Sequence, residues 1–520
     1  MSVVEYGWRR TVVVVAVMLA VLLQLADTTI VNVSLPTIDG ELGASADEGT
    51  WLVTSYIIAN VIVIPLSPWL QARFGRRAYF AASIAGFTLF SALCGMANSL
   101  SAEIALRFVQ GAFGGGLMIP AQQILRDTYP PKDLGKSQAL FGLLVPIGPT
   151  IGPILGGYLT DNLSWQWVFF VNVVPGIVAC ALVLWVLRDP EQPKKMRVDA
   201  IGIALLALGL GSLQYVLERG ERLDWWSDAQ IVLFTVLAIV GSAAFVWWEL
   251  RGTKTPAVDL RVMGQRPVWA STLTFFCMGF AFYGMFILQP LYTQQTMRLT
   301  TSLSGDFMVL RALAVMAMYP VVNWLVGKPK VDMRIVVAVS TALYGFTWWW
   351  QGQLMTTTAD FDAFVLAQIA GGVVLGLSYM PFNVVVMRAV DPKAVGPSLA
   401  LVRLGMQIGG SVGSAAIVTY MSRLAVSHAT SLQDGVTMAR EPVRAFLAGH
   451  GAHAAAALSG LVDGQANVLA DADAARLLGA ILLLCAPLPL LVRKHRSREA
   501  QPSRIAIASR PTSGKAENAA

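Results

Sequence analysis

TVVVVAVMLAVLLQLADTTIVNVSL, residues 11–35, decides the class of this chain. About 20 mostly apolar residues carry a helix across a bilayer, and this stretch supplies them. It is not a cleaved leader, because it is too long and Asp27 stands where a small-residue cleavage site is expected. Asp27 follows a long apolar run and is itself followed by Thr28, Thr29 and Asn32. A charge at that depth costs several kcal/mol and marks a functional position by default. In a dry, shaped cavity such an acid can take and release a proton, which is the chemistry of a proton-coupled carrier.

The rest of the chain follows the same pattern. Of its 520 residues, 55% are hydrophobic and only 13% are charged, about half the charged share of a soluble protein. There is too little charge for a water-facing surface and too much apolar matter for a disordered chain. The four cysteines, Cys94, Cys180, Cys277 and Cys485, all lie in apolar stretches, against both a disulfide framework and a zinc site. His450 and His453 have no cysteine or acid close by, so no metal is expected. No Walker A or HExxH pattern occurs, which argues against direct ATP drive and against a zinc hydrolase, and no enzyme is expected.

Fourteen spans are predicted: 11–35, 50–71, 78–97, 104–125, 138–160, 165–187, 200–217, 229–248, 268–292, 304–326, 335–352, 362–387, 398–422 and 474–492. With both termini cytoplasmic, the cytoplasmic loops and tails hold 28 Lys/Arg and the opposite side holds 7, counting Arg476 at its helix end with the latter. That bias is a strong positive-inside signal, and dropping one span would destroy it. It also accounts for the net charge of +7 without any nucleic acid. The expected fold is therefore all-α and integral to the membrane. A six-helix unit, 1–190, is followed by a linker and two added helices, 191–266, and a second six-helix unit, 267–495. The latter includes a long external loop at 424–473, and a disordered tail follows at 496–520.

Apart from Asp362 and Arg476, counted with the loops at their helix ends, five ionisable residues fall within spans: Asp27, Arg107, Asp306, Arg311 and Arg403. Arg107 keeps its proton but can bias a neighbouring carboxylate. Arg403 sits near a helix start, where snorkelling explains it equally well. Asp306 stands near an external helix end, where the macrodipole favours an acid. Arg311 lies about 7 Å deeper, and is expected to face the central cavity and favour anionic or zwitterionic substrates. Asn32, Asn60, Gln110, Gln289 and Asn383 are candidate uncharged groups of a substrate cavity, with Tyr283, Met285 and Phe382 as an apolar wall. In the fifth span Gly148, Gly152 and Gly156, with Gly157 beside them, recur at four-residue spacing together with Pro149 and Pro153. Such a strip lets another helix approach closely, while the prolines loosen the backbone. The loop Pro68 to Arg77 is short and basic, with Arg73, Gly75, Arg76 and Arg77.

Together these stretches resemble the major facilitator superfamily, in particular its fourteen-span EmrB/QacA drug–proton antiporters. Leu25 to Pro36 is similar to that group's first-helix motif, and Arg73, Gly75, Arg76 and Arg77 to the superfamily's loop motif. Arg107-Phe-Val-Gln110-Gly111 resembles the fourth-span motif tied to proton coupling, and Gly148 to Gly157 the antiporter motif. Gly211 to Trp226 resembles the EmrB branch. The resemblance implies the major facilitator fold, with two six-helix bundles and an inserted helix pair. It also implies a bacterial inner-membrane exporter of small organic compounds, driven by the proton gradient without a cofactor. In the EmrB branch the exporter hands substrate to a periplasmic adaptor and an outer-membrane channel. Pro68 and Ala72 depart from the loop motif, which usually has a glycine and an acid there, so the latch that the acid provides is in question. An exporter of an endogenous metabolite, such as a siderophore or toxin, would carry the same motifs. A non-transporting membrane sensor or scaffold would need no acid at Asp27.

Overall fold

A computed structural model describes residues 5–130, 133–189, 197–299, 301–328, 330–356, 361–391, 394–437, 439–449 and 454–492. His450, His453 and the 496–520 tail lie outside them, as do the side chains of Pro149 and Asp306. Among the described residues the regular structure is helical, with no strand. The first eight helices are α1 (Gly7–Leu42), α2 (Ala46–Phe74), α3 (Arg76–Cys94), α4 (Leu100–Gly115), α5 (Met118–Thr128), α6 (Leu134–Asn162), α7 (Trp167–Phe170) and α8 (Val173–Val186). Then come α9 (Ala200–Arg219), α10 (Ala229–Trp247), α11 (Arg266–Leu291), α12 (Thr301–Ala317), α13 (Tyr319–Val326) and α14 (Met333–Leu354). The last four are α15 (Phe361–Ala389), α16 (Val395–Gln433), α17 (Glu441–Gly449) and α18 (Ala454–Cys485).

Local chemistry sets many of these bounds. Ser45 and Glu48 form a capping box that starts α2, and Asp228 caps α10 by accepting from the Gln230 amide. Gly75 alone separates α2 from α3, with φ +86°. That conformation is nearly closed to residues with a Cβ, so the sharp reversal depends on this glycine. The predicted fourth span breaks in two at Gly116-Leu117, after the run Gly114-Gly115-Gly116, and the tenth breaks at Met318.

Among the described residues, twelve helical segments are long and apolar enough to cross a membrane. Two of the fourteen predicted spans, in α6 and α14, are absent from that set. Both are long helices; several α6 side chains lie outside the described residues, and α14 carries Trp348-Trp349-Trp350 with Gln351 and Gln353, which lower its hydropathy. The expected 424–473 loop differs from the structure. Here α16 runs on to Gln433, and α17 and α18 fill most of the remainder. Its small, alanine-rich sequence reads as a loop by polarity but favours helix by propensity.

Glycine decides which helices touch. A Cβ on Gly148, Gly152 or Gly156 of α6 would strike Leu25, the Ala26 carbonyl with Thr29, or the Ile30 carbonyl of α1. On α4, Gly111 and Gly115 press on the carbonyls of Tyr56 and Asn60 of α2. The same scheme recurs later. Gly405, Gly409 and Gly413 of α16 meet the carbonyls of Thr272, Phe276 and Phe280 of α11, and Gly372 and Gly376 of α15 meet those of Arg311 and Val315 of α12. Helices α1–α8 pack chiefly on one another, as do α11–α18, while α9 and α10 pair with each other and α9 lies against α2 and α16. In the half of the molecule that carries the Arg73–Arg77 loop, the two sets meet. Gln122 Nε2 donates to Asn383 Oδ1 at 3.0 Å, and Gly135 and Gly142 abut Val326 and Met380.

Candidate functional site

The Gly148–Gly156 strip holds α1 against α6 along Leu25–Ile30, the segment that carries Asp27. The close α2–α4 contact in turn aims Arg107 at it. Arg107 Nη1 donates to Asp27 Oδ2 at 2.7 Å and to Gln110 Oε1 at 2.8 Å. Gln110 Nε2 and Asn172 Nδ2 donate to Asp27 Oδ1 at 3.2 and 3.0 Å. Asn172 also donates to Ser91 Oγ at 3.1 Å, and Ser91 donates to the Phe169 carbonyl at 2.9 Å. Arg107 Nε reaches the Leu52 carbonyl at 3.3 Å, and the guanidinium lies 4.3 Å from the Tyr56 ring centre. Asp27 is 0% and Arg107 1% exposed. Taking one partner from a buried ion pair of this kind costs about 3–5 kcal/mol, because it strands the other charge. A proton delivered to Asp27 acts on that same balance, so this cluster can convert protonation into a change of packing.

The other expected cavity groups are scattered. Asn60 is buried, with Nδ2 directed to the Gly111 carbonyl at 3.5 Å across the α2–α4 contact. Asn383 belongs to the Gln122 contact between the two helix sets. Gln289 is buried with neither amide atom hydrogen-bonded among the described residues. Asn32 is exposed on α1. Phe382 stacks on Phe275 within the second helix set, with ring centres 5.1 Å apart, and Met285 contacts Arg311. Neither forms the wall of an open cavity, whereas Tyr283 is partly exposed and donates to Gln407 Oε1 at 3.4 Å.

Arg311 departs from the expected cavity-facing cation. It is 3% exposed and enclosed by Met285 of α11, Gln351 and Trp348 of α14 and the glycines of α15. Its Nη2 donates to Gln351 Oε1 at 3.2 Å and its guanidinium lies 5.0 Å from the Trp348 ring centre. Counting residues fixed its depth but not which neighbouring helix its long side chain would reach. Arg403 is partly exposed and reaches Met406 Sδ.

In the basic loop Arg73 rests on Trp69 and Phe74. Arg76 pairs with Asp127 at the end of α5 at 2.7 Å, and the Arg77 amide donates to Asp189 at 2.7 Å. The loop's arginines thus find their acids on other segments of the chain, which no local motif could reveal. At the opposite end, the turn after α9 spans both helix sets. Arg219 donates to Thr50 Oγ1 of α2 at 2.9 Å. Glu221 accepts from Thr419 at 2.5 Å and Ser422 at 2.6 Å, both of α16, and from Trp225 at 2.9 Å. Burial works against a charge on Glu221, but the hydroxyls of Ser422 and Thr419 and the Trp225 indole hold its carboxyl below the ordinary glutamate range.

Asn172, Ser91, Glu221 and the α16 glycines escaped the sequence reading. Asn172 sits between apolar runs without a recognisable motif, whereas Gly405, Gly409 and Gly413 repeat the four-residue spacing that was read only in α6.

Residues 17–414 match the family model described as Major Facilitator Superfamily. The multidrug export protein EmrB of Escherichia coli (strain K12) is 33% identical over 434 residues, covering 83% of this chain and 84% of the relative. The fatty acid resistance protein FarB of Neisseria gonorrhoeae is 32% identical over 453 residues, covering 86% of each. Among solved structures, the human organic anion transporter MFSD10 (TETRAN) superposes with a TM-score of 0.61 at 15% identity, over 92% of this chain and 99% of that one. That last likeness bears on the fold alone.

Proposed function

From the premise that this chain belongs to the major facilitator superfamily and is an EmrB-type, multi-pass membrane transporter rather than an enzyme, we propose that it exports drugs or other toxic organic compounds in exchange for protons. The buried Asp27–Arg107 pair carries this reading. In the resting site the two charges satisfy one another, and Gln110 and Asn172 complete the shell of Asp27. A proton arriving at Asp27 neutralises the acid and leaves Arg107 without its counter-ion. Rearrangement of α1, α4 and α6 relieves that cost, so protonation biases the transporter toward another conformation.

Fourteen spans arranged as two six-helix bundles with α9 and α10 inserted fit the recurring glycine contacts, with α6 and α14 completing the count. The termini and the Arg73–Arg77 loop are cytoplasmic, so the Gln122–Asn383 contact closes the cytoplasmic end. Substrate sits between the bundles and access alternates by rocking. Asn32, Asn60, Gln110, Gln289 and Asn383 are the polar groups available to it. EmrB of E. coli is a multidrug export protein and FarB a fatty acid resistance protein, which supports an amphipathic organic substrate; its handoff to a periplasmic adaptor and an outer-membrane channel is the further part of this proposal. A susceptibility panel on cells with and without the gene, paired with fluorescence-quench proton flux in inverted vesicles, tests this function. Resistance without any compound-evoked proton movement would reject proton exchange.

A further inference from the structure

Glu103 lies in the first turn of α4, on the sequence-predicted border of the fourth span. It is 0% exposed, and its carboxyl oxygens meet no N–H or O–H donor among the described residues, only the weakly donating Cys94 thiol beside them. An acid in a helix's first turn is ordinarily explained by the dipole. Here Ser99 supplies the cap by accepting from the Ala102 amide at 3.4 Å, and the Glu103 carboxyl caps nothing. Instead Glu103, Arg107 and Gln110 follow one another at i, i+4 and i+7, on one face of α4, and all three are buried. The titratable and charged groups facing this pocket are Cys94 of α3, Asp27 of α1, Tyr56 of α2 and Arg107 itself. Cys94 Sγ donates to Gln110 Oε1 at 3.7 Å, linking the Glu103 end to the Asp27 shell.

An ionised carboxylate that is buried with only a thiol beside it costs several kcal/mol, so Glu103 holds its proton while Asp27 occupies Arg107. We propose that Glu103 is a second proton-carrying residue, which passes its proton to Asp27 and takes over Arg107 as its own ion-pair partner. The step balances. The O–H bond at Glu103 breaks and one forms at Asp27, the net charge of the cluster stays constant, and no charge is stranded. With the cytoplasmic termini proposed above, Glu103 is the outer of the two acids, so an external proton reaches it first.

This inference rests on the reading of Asp27 as the proton carrier, and its test needs no substrate. The full chain is reconstituted in phosphatidylethanolamine–phosphatidylglycerol vesicles, and the protonated-carboxyl C=O stretch is followed by infrared difference spectroscopy at neutral pH. Glu103→Gln mimics the neutral acid and is expected to fold with parental thermal stability while losing one protonated-carboxyl band. Glu103→Asp keeps a band. Asp27→Asn is expected to lose the Glu103 band too, because Glu103 ionises to pair with the vacated Arg107. A spectrum unchanged by Glu103→Gln, or a Glu103 band that persists in Asp27→Asn, overturns the proposal. Failure of the Asp27 reading shows separately, as intact compound-evoked proton flux in Asp27→Asn.

Discussion

The α1–α6 contact offers a perturbation whose size follows from the coordinates. A Cβ at Gly152 would stand 2.8 Å from the Ala26 carbonyl oxygen and 3.0 Å from the Ile30 amide, and closer still to the Thr29 hydroxyl. Carbon ordinarily approaches such atoms no nearer than about 3.5 Å. In Gly152→Ala the two backbones must therefore separate by roughly 0.5 Å or more, since neither carbonyl nor amide can swing aside. Overpacking of this kind costs about 1–3 kcal/mol, and it falls within one helical turn of Asp27. If the cost weighs on one conformation more than the other, each 1.4 kcal/mol shifts their ratio about tenfold. Gly157→Ala is the control, because the nearest atom to its Cβ is Val33 Cγ1 at 3.9 Å. We expect Gly152→Ala to lower the melting temperature in detergent and cut vesicle flux about tenfold, while Gly157→Ala matches the parent. Indistinguishable behaviour of the two variants would refute the argument that close approach at Gly152 matters.

Arg311→Met should leave thermal stability unchanged or raised, because the partners described for this buried cation are neutral and an apolar replacement avoids its desolvation. Any transport loss should be uniform across anionic, neutral and cationic compounds in a resistance panel, whereas loss confined to anions would place Arg311 in contact with substrate. The Glu221 contact should depend on pH. Its carboxyl is held below the ordinary value of 4.5, so its stabilising contribution is complete above that pH and fades as pH falls through the lower native value. Parent and Glu221→Gln melting curves should therefore differ most above about pH 5 and converge in stronger acid, and a constant gap across that range would contradict the assignment.

The membrane class, the helical architecture and the proximity of Asp27 to Arg107 were legible because burying charge in lipid is costly enough to make each exception conspicuous. The glycine strip was legible for the same reason that it works: a fixed period on one helix face. What could not be read were partners set by tertiary packing. Asn172 reaches Asp27 from 145 residues away, and Asp127 answers Arg76 from another helix. The depth of Arg311 followed from 1.5 Å per residue, but its enclosure depended on Trp348 and Gln351. The helical extensions into 424–473 were hidden because hydropathy marks where lipid ends, and a helix rich in alanine continues past that point.

The central claim is that Asp27 carries the exchanged proton. Its most direct test is the collapse of a respiration-generated pH gradient in everted membrane vesicles when an exported dye is added. With Asp27→Asn present at parental levels in the membrane, the account predicts no dye-evoked proton movement. An undiminished response in that variant would contradict it.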